Sequence, residues 1–531
     1  MSLFARIIYI ALALLLVCAA GFFRLRFPHE PLIDPDVGAY LGPTLQVLTD
    51  HGFQHSGGVS FVYPGFLYLI LRTFRDFRAI TIVQHLFGLA TGGVLMVCWN
   101  QSLNLIQKPV TPKVVGQFLG LLVAALFLFN TSAVRLEHAI RPDAIFPFFA
   151  ALSLFLNIQF IRYRFLQRED RLALLYGTIT VLNACLLFFL KPAFYLATAF
   201  ATLPVWISLF DPREPLGRKM LLAGTAALST AAILLLPENA LRKNDPTSKT
   251  FFPTTLFVTH ANIIRDQLAL DLETKAKTPY SPEFLEKTYD LLNQEIKVSK
   301  QTGRYTSLGF DPSYLMWDDS FDRKFSNDFG PQGLDRNRVK FYYYYFLRAW
   351  THQPARMLQK VLQQLGILYN NLHQASPYKL EAHTQLSTAY SDNCQLFASR
   401  APFFRIEYEP LKKFIIHSTQ LTHTRSQLTQ PRAVSWINRF LARTFTLSIL
   451  LALVFAVIIA NNTDLRINYG WFLGIILLFY TYSFANSLGI AIIHSLETSR
   501  FLTNQLVYCL LPQCLTLFLT VEICCSRRTP G

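Results

Sequence analysis

Carboxylates and cations gather at four points beside the apolar runs of this chain. Asp34 and Asp36 stand two residues apart after the first apolar run, in Ile33-Asp34-Pro35-Asp36-Val37-Gly38-Ala39-Tyr40. Glu137 precedes Arg141-Pro142-Asp143, Lys191 separates two apolar runs, and His494, Glu497 and Arg500 lead into the last one. These residue types suit chemistry on an anionic group. A carboxylate takes the proton of an attacking hydroxyl or holds a cation, while Lys and Arg neutralise charge growing on a phosphate leaving group. Each also has a plain structural use. Asp34 and Asp36 can cap a helix start, Pro142 and Asp143 suit a first helical turn, Lys191 can snorkel from a helical hairpin, and Glu497 can pair locally with Arg500. Expense argues for more than that, because an ionisable group costs about 2.5–3.5 kcal/mol at the centre of a membrane helix and is seldom kept there without a role.

The elements that must position these groups are membrane spans. Of 531 residues, 52% are hydrophobic and 15% charged, against about a quarter charged in soluble domains. The apolar residues collect into runs long enough to cross about 30 Å of hydrocarbon, which excludes disorder, coiled coils, collagen-like fibres and transmembrane barrels. Ten spans are expected, at 5–23, 79–99, 115–133, 144–161, 172–190, 192–210, 220–236, 444–461, 470–490 and 501–522. The first is read as an uncleaved anchor, although Cys18-Ala19-Ala20 resembles a cleavage site. With the N-terminus in the cytoplasm, twelve Lys and Arg fall in short inner loops, and only Arg135, Arg141, Lys191 and Arg500 in short outer ones. By the positive-inside rule both termini are then cytoplasmic, in a bacterial inner membrane, and all four charged points face the extracytoplasmic side. The segment 60–74 is apolar but short and carries Tyr63-Pro64-Gly65 near its start. Counting it as a crossing would turn the twelve cations outward, so it is read as re-entrant or interfacial.

The expected fold class is an all-α polytopic membrane bundle of about ten to twelve helices with a mixed, mainly helical extracytoplasmic domain. Residues 1–236 form a transmembrane module with an outer loop at 24–78, residues 237–443 a soluble outer domain, and residues 444–531 the C-terminal membrane helices. In the outer domain, Phe341 to Phe346 reads as an interfacial aromatic belt, and Ala355 to Tyr369 as an amphipathic helix resting on the membrane. The excess of 49 Lys and Arg over 33 Asp and Glu fits inner loops facing anionic lipid, and no basic patch interleaved with aromatics points to nucleic acid. No Cys-x-x-Cys or Cys/His metal spacing occurs among the 8 cysteines. A divalent cation is compatible with the acids, Asp36 and Asp143 being its candidate ligands, but no cofactor is required. Two rival classes remain: a transporter or flippase of an anionic lipid or solute, and a non-enzymatic assembly protein.

The order of these elements resembles the GT-C superfamily of polyprenyl-phosphate-dependent glycosyltransferases, in the branch of lipid A aminoarabinose transferases and protein O-mannosyltransferases. The likeness rests on Asp36 four residues before Tyr40, on Tyr63-Pro64, on Arg141-Pro142-Asp143 ahead of an apolar run, on Lys191, and on Glu497 to Phe501. It covers the first 236 residues and, less fully, about the last 90; the outer domain matches nothing in the family. The resemblance implies an inverting transfer of a monosaccharide from a polyprenyl-phosphate donor to a hydroxyl of a glycan, lipid or protein. It implies that Asp36 is the base, with Asp34 the other candidate, and that Asp143 or Glu137 supports the base or the acceptor. Lys191 and Arg500 would contact the lipid phosphate, with Arg141 and His494 beside them, and Tyr40, Tyr63 and Glu497 would serve the acceptor or the structure. Two departures stand out: Asp34-Pro35-Asp36 is not the adjacent acidic pair common in the family, and Tyr63-Pro64-Gly65 replaces Lys-Pro-Pro.

Overall fold

Among the described residues, eight helices are long and apolar enough to cross a membrane, and two further bent pairs bring the number to ten if each pair is one span. The computed structural model describes residues 3–54, 59–242, 252–302, 308–317, 320–328, 334–370, 378, 383–399, 407–493 and 503–526. The unbroken spans are Leu3–Leu25, Arg78–Leu103, Phe146–Gln167, Asp170–Leu190, Leu216–Leu241, Arg432–Asn461, Thr463–Ile493 and Leu506–Cys525. Lys113–Leu128 with Thr131–His138 bends by 52°, and Pro192–Ala201 with Leu203–Phe210 by 43°. The first bend has a local cause, since Asn130 leaves the helical conformation and its side chain accepts the Ala133 N–H, starting a new helix. In the second, Pro204 sits in the first turn of the new helix, where its missing N–H costs nothing. Val62–Phe74 is a separate short apolar helix. Among the described residues strand is confined to two three-residue pieces, His383–Gln385 and Gln427–Thr429, paired antiparallel. The chain is an all-α polytopic membrane bundle, as the hydropathy pattern predicts.

Small residues decide how closely the spans meet. A Cβ at Gly88 would lie 2.0 Å from the Glu137 carboxylate, and one at Gly92, a turn later, 2.6 Å from Leu128. The second span therefore meets the bent third span on a glycine face, the packing mode of helices that lack a hydrophobic driving force between them. Farther along, Trp99 covers Gly120 and donates its indole N–H to the Gly116 carbonyl at 2.7 Å.

The polar stretch 237–443 does not remain one domain. The chain divides into one unit of 1–248, 376–486 and 500–531, and a second of 249–375 with 487–499. Residues 376–443 join the first unit because their contacts lie there: the Tyr390 hydroxyl donates to the Glu30 carbonyl at 2.8 Å, and Phe414 stacks on Phe77 at 4.7 Å. In the second unit, Phe341, Tyr342 and Tyr345 are fully buried in a core with Phe257, Leu268 and Leu292. This corrects the expectation of an interfacial belt; the aromatic run is packing material, and Phe257 lies 4.6 Å from Tyr342 ring to ring. The expected amphipathic helix is present as Pro354–Tyr369, with Met357 and Val361 inward and Leu358 and Leu362 exposed.

Candidate functional site

The loop after the first span and the loop after the third are tied by their backbones. The Leu32 N–H donates to the His138 carbonyl at 2.8 Å and the Ile140 N–H to the Leu32 carbonyl at 2.9 Å, a parallel bridge between Leu32 and Ala139. Side chains two positions beyond a bridged pair return to the same face, which sets Asp34 and Arg141 side by side. They form an ion pair. The far side of the loop is braced by Asn393, whose side-chain oxygen accepts the Ile33 N–H at 2.9 Å while its amide donates to the Pro31 carbonyl at 3.1 Å.

Arg141 is the hub of the acids. Its Nη2 is 3.6 Å from Asp36 Oδ2, and its Nε is 3.6 Å from Asp143 Oδ2. Asp143 in turn pairs with Lys191 and accepts the Asn504 amide at 2.7 Å. Lys191 is delivered by the C-terminus of the fifth span, where Pro192 ends the helix, and its ammonium lies 5.6 Å from the Phe194 ring. Five ionisable side chains from three remote stretches thus converge, three acids with two cations. Their burial differs in a way that assigns parts. Asp143 is 3% exposed and Lys191 8%, so that pair is mostly desolvated, whereas Asp36 at 38% is the most accessible of the acids. Asp34 turns one oxygen to the Asp36 N–H at 2.9 Å, shaping the turn. Asp36 occupies the N-cap position of helix Val37–Leu48, yet its side chain makes no capping bond.

Glu137, expected at the site, is placed elsewhere. Glu137 points into the bundle: its carboxylate accepts Arg24 Nε and Nη2 at 2.7 and 2.8 Å and contacts His85 Nδ1 at 2.7 Å. Arg24 also donates to the Leu128 carbonyl at 2.7 Å, satisfying the end of the helix before the bend. This cluster pins the first, second and third spans together rather than joining the acids around Arg141. Tyr63 is buried and donates to Gln84 at 2.7 Å, and Gln84 donates to the carbonyls of Glu137 and Ala139 at 2.8 and 3.0 Å. Tyr40 packs edge-on to Tyr63 at 5.5 Å. Both tyrosines therefore lie against the segment that leads to Arg141 and Asp143. His494, Glu497 and Arg500 lie outside the described residues. No three His, Cys, Asp or Glu side chains among the described residues are grouped to hold a metal ion, and the gap between Asp36 and Asp143 is spanned by the Arg141 guanidinium.

Three contributors escape a reading limited to charge. Asn504 and Asn393 are neutral amides, and Gln84 lies within an apolar run. The usable signal is that a buried amide in a membrane helix must find partners; Thr503-Asn504-Gln505 at the start of the last span carries it.

The fold and its apolar spans define a polytopic integral membrane protein. Set against family models, curated proteins and solved structures, the chain matches none of them.

Proposed function

We propose that the protein is an inverting glycosyltransferase that moves a monosaccharide from a polyprenyl-phosphate donor to an acceptor hydroxyl of a glycan, lipid or protein on the extracytoplasmic face of a bacterial inner membrane. The observation that supports this reading is the convergence of Asp34, Asp36, Arg141, Asp143 and Lys191, drawn from loops at the ends of three different spans. Asp36, accessible and not used as a helix cap, takes the proton of the acceptor hydroxyl. The hydroxyl oxygen attacks the anomeric carbon, the bond from that carbon to the lipid-phosphate oxygen breaks, and the phosphate leaves with the electron pair. Arg141 and Lys191 supply positive charge where the phosphate gains its second negative charge, the arrangement that stabilises a transition state more than a ground state. Asp143 holds Lys191 in place. Proton removal by a positioned base contributes about 10²–10⁴-fold, so Asp36→Asn is expected to lower transfer by that factor.

The test is an assay of full-length protein in vesicles with radiolabelled polyprenyl-phosphate-linked sugars. Wild type should cut the glycosyl bond; Asp36→Asn should retain the donor and leave it uncut. A wild type that carries labelled lipid across the membrane intact would favour a transporter, and an active, folded Asp36→Asn protein would remove Asp36 from the mechanism.

A further inference from the structure

At the opposite end of the fifth span from Lys191, the first unit holds a second and unrelated pocket. Helix Asp170–Leu190 has 21 residues, about 31 Å at 1.5 Å per residue, so roughly a membrane thickness separates its two ends. The pocket has a volume of about 140 Å³ and lies between the fourth, fifth and seventh spans and helix Leu203–Phe210. Phe160, Leu174, Leu209 and Leu222 give it apolar walls, and Arg164, Arg171, Arg218 and Lys219 ring it with positive charge.

We propose that this pocket binds the phosphate-bearing head group of an anionic phospholipid. Two of the cations are already neutralised: Arg164 pairs with Glu214 and donates to Ser208 Oγ at 2.8 Å, and Arg218 lies 2.8 Å from Asp170. Arg171 and Lys219 have no carboxylate within ion-pair distance among the described residues. The rim therefore carries two more cations than acids, matching the charge of one or two phosphodiesters. Arg164 is held at the pocket by an unusual stretch of backbone, since Arg162–Gln167 is π-helical, a widened turn that recurs at functional sites.

The walls select the kind of anion. A free phosphate or a soluble sugar phosphate would leave Leu174, Leu209 and Leu222 facing a polar group, which costs free energy. A lipid lays its glycerol and first methylenes there and its chain along Leu221, Trp206, Ile207 and Phe210, which are all exposed on the same helices. The volume is below the roughly 300–1,000 Å³ of pockets that enclose a whole small ligand and suits a head group whose tail stays outside. Basic pockets between membrane helices recognise acidic head groups in this way.

The test uses full-length protein in mixed micelles, with bound lipid counted by native mass spectrometry. Phosphatidylglycerol should be retained over phosphatidylcholine, and rising salt should erode the preference as rim charges are screened. Each cation near an acidic lipid surface is worth about 1 kcal/mol, so the double variant Arg171→Gln, Lys219→Gln should lose the preference by about 30-fold. Neither residue has an acidic partner among the described residues, so the fold should survive; the salt series on wild type decides the matter if it does not. Equal retention of the two lipids, a preference indifferent to salt, or an unchanged double variant would overturn the assignment. So would glycerol 3-phosphate or inorganic phosphate binding as tightly as the lipid, since the apolar walls would then be irrelevant.

Discussion

Replacing Glu137 by Gln separates a structural role from a chemical one. In the folded protein the Arg24 side chain is 0% exposed and that of Glu137 3%. The carboxylate takes two guanidinium N–H bonds, at 2.7 and 2.8 Å, and contacts His85 Nδ1 at 2.7 Å. Glutamine keeps the shape and removes the charge, leaving a guanidinium buried without its counter-ion. Breaking a buried pair in this way costs about 3–5 kcal/mol. Arg24 keeps its bonds to the Leu128 and Ala20 carbonyls, at 2.7 and 3.2 Å, which places the expected loss near the lower end, about 3 kcal/mol. Removing both charges, with Arg24→Met and Glu137→Met together, should recover most of that loss, because no orphaned ion remains. Denaturant unfolding in nanodiscs, followed by tryptophan fluorescence, reads the stability, and a sugar-transfer assay on the same samples reads turnover. Glu137→Gln is expected to be destabilised while its folded fraction turns over within a few-fold of wild type. A variant as stable as wild type but slowed by about 100-fold or more would refute the reasoning and put Glu137 on the substrate.

Other perturbations follow from the same contacts. Gly88→Ala places a methyl group 2.0 Å from the Glu137 carboxylate and should destabilise by about 2 kcal/mol or more; because both changes act on one contact, its cost should not add to that of Glu137→Gln in a double-mutant cycle. Lys191→Met removes the cation paired with Asp143 and should cut sugar transfer by about 10²–10³-fold, with partial recovery in Lys191→Arg; equal activity in all three would exclude a role for the ammonium. In the second unit, burial pushes the Lys360 ammonium down to about 7, while an unfolded lysine titrates near about 10.4. The unfolded chain therefore holds the extra proton between those values, so stability should rise with pH across that window and the penalty should be full below it. Lys360→Met should remove up to about 5 kcal/mol of that penalty at pH 6.5 and flatten the slope; parallel wild-type and variant curves from pH 6.5 to 10 would contradict the burial argument.

The spans were legible because hydropathy is a local property: a window of apolar residues declares itself wherever its partners lie, and even the short helix Val62–Phe74 was separable by its length and its proline. That Asp34, Asp36, Arg141, Asp143 and Lys191 share one face was an expectation from the same count of crossings, and the structure gathers their side chains. Burial class within the polar stretch was not legible. The run Phe341 to Phe346 has the composition of a membrane interface and of a protein core alike, and only packing against Phe257 and Leu292 chose the core. The same holds for 376–443, whose place with the first unit depends on partners such as Glu30 and Phe77 more than 300 positions away.

By itself, then, the chain determined which stretches are apolar enough to cross a membrane and which connecting segments carry charge, because both depend on neighbours in sequence. The tertiary structure decided which charge meets which. Arg141 became the hub of three acids, while Glu137, only four residues earlier, was turned inward to Arg24 across 113 positions of sequence. The physical reason is that a desolvated charge takes whichever counter-ion folding brings within reach, and distance along the chain holds no record of that choice.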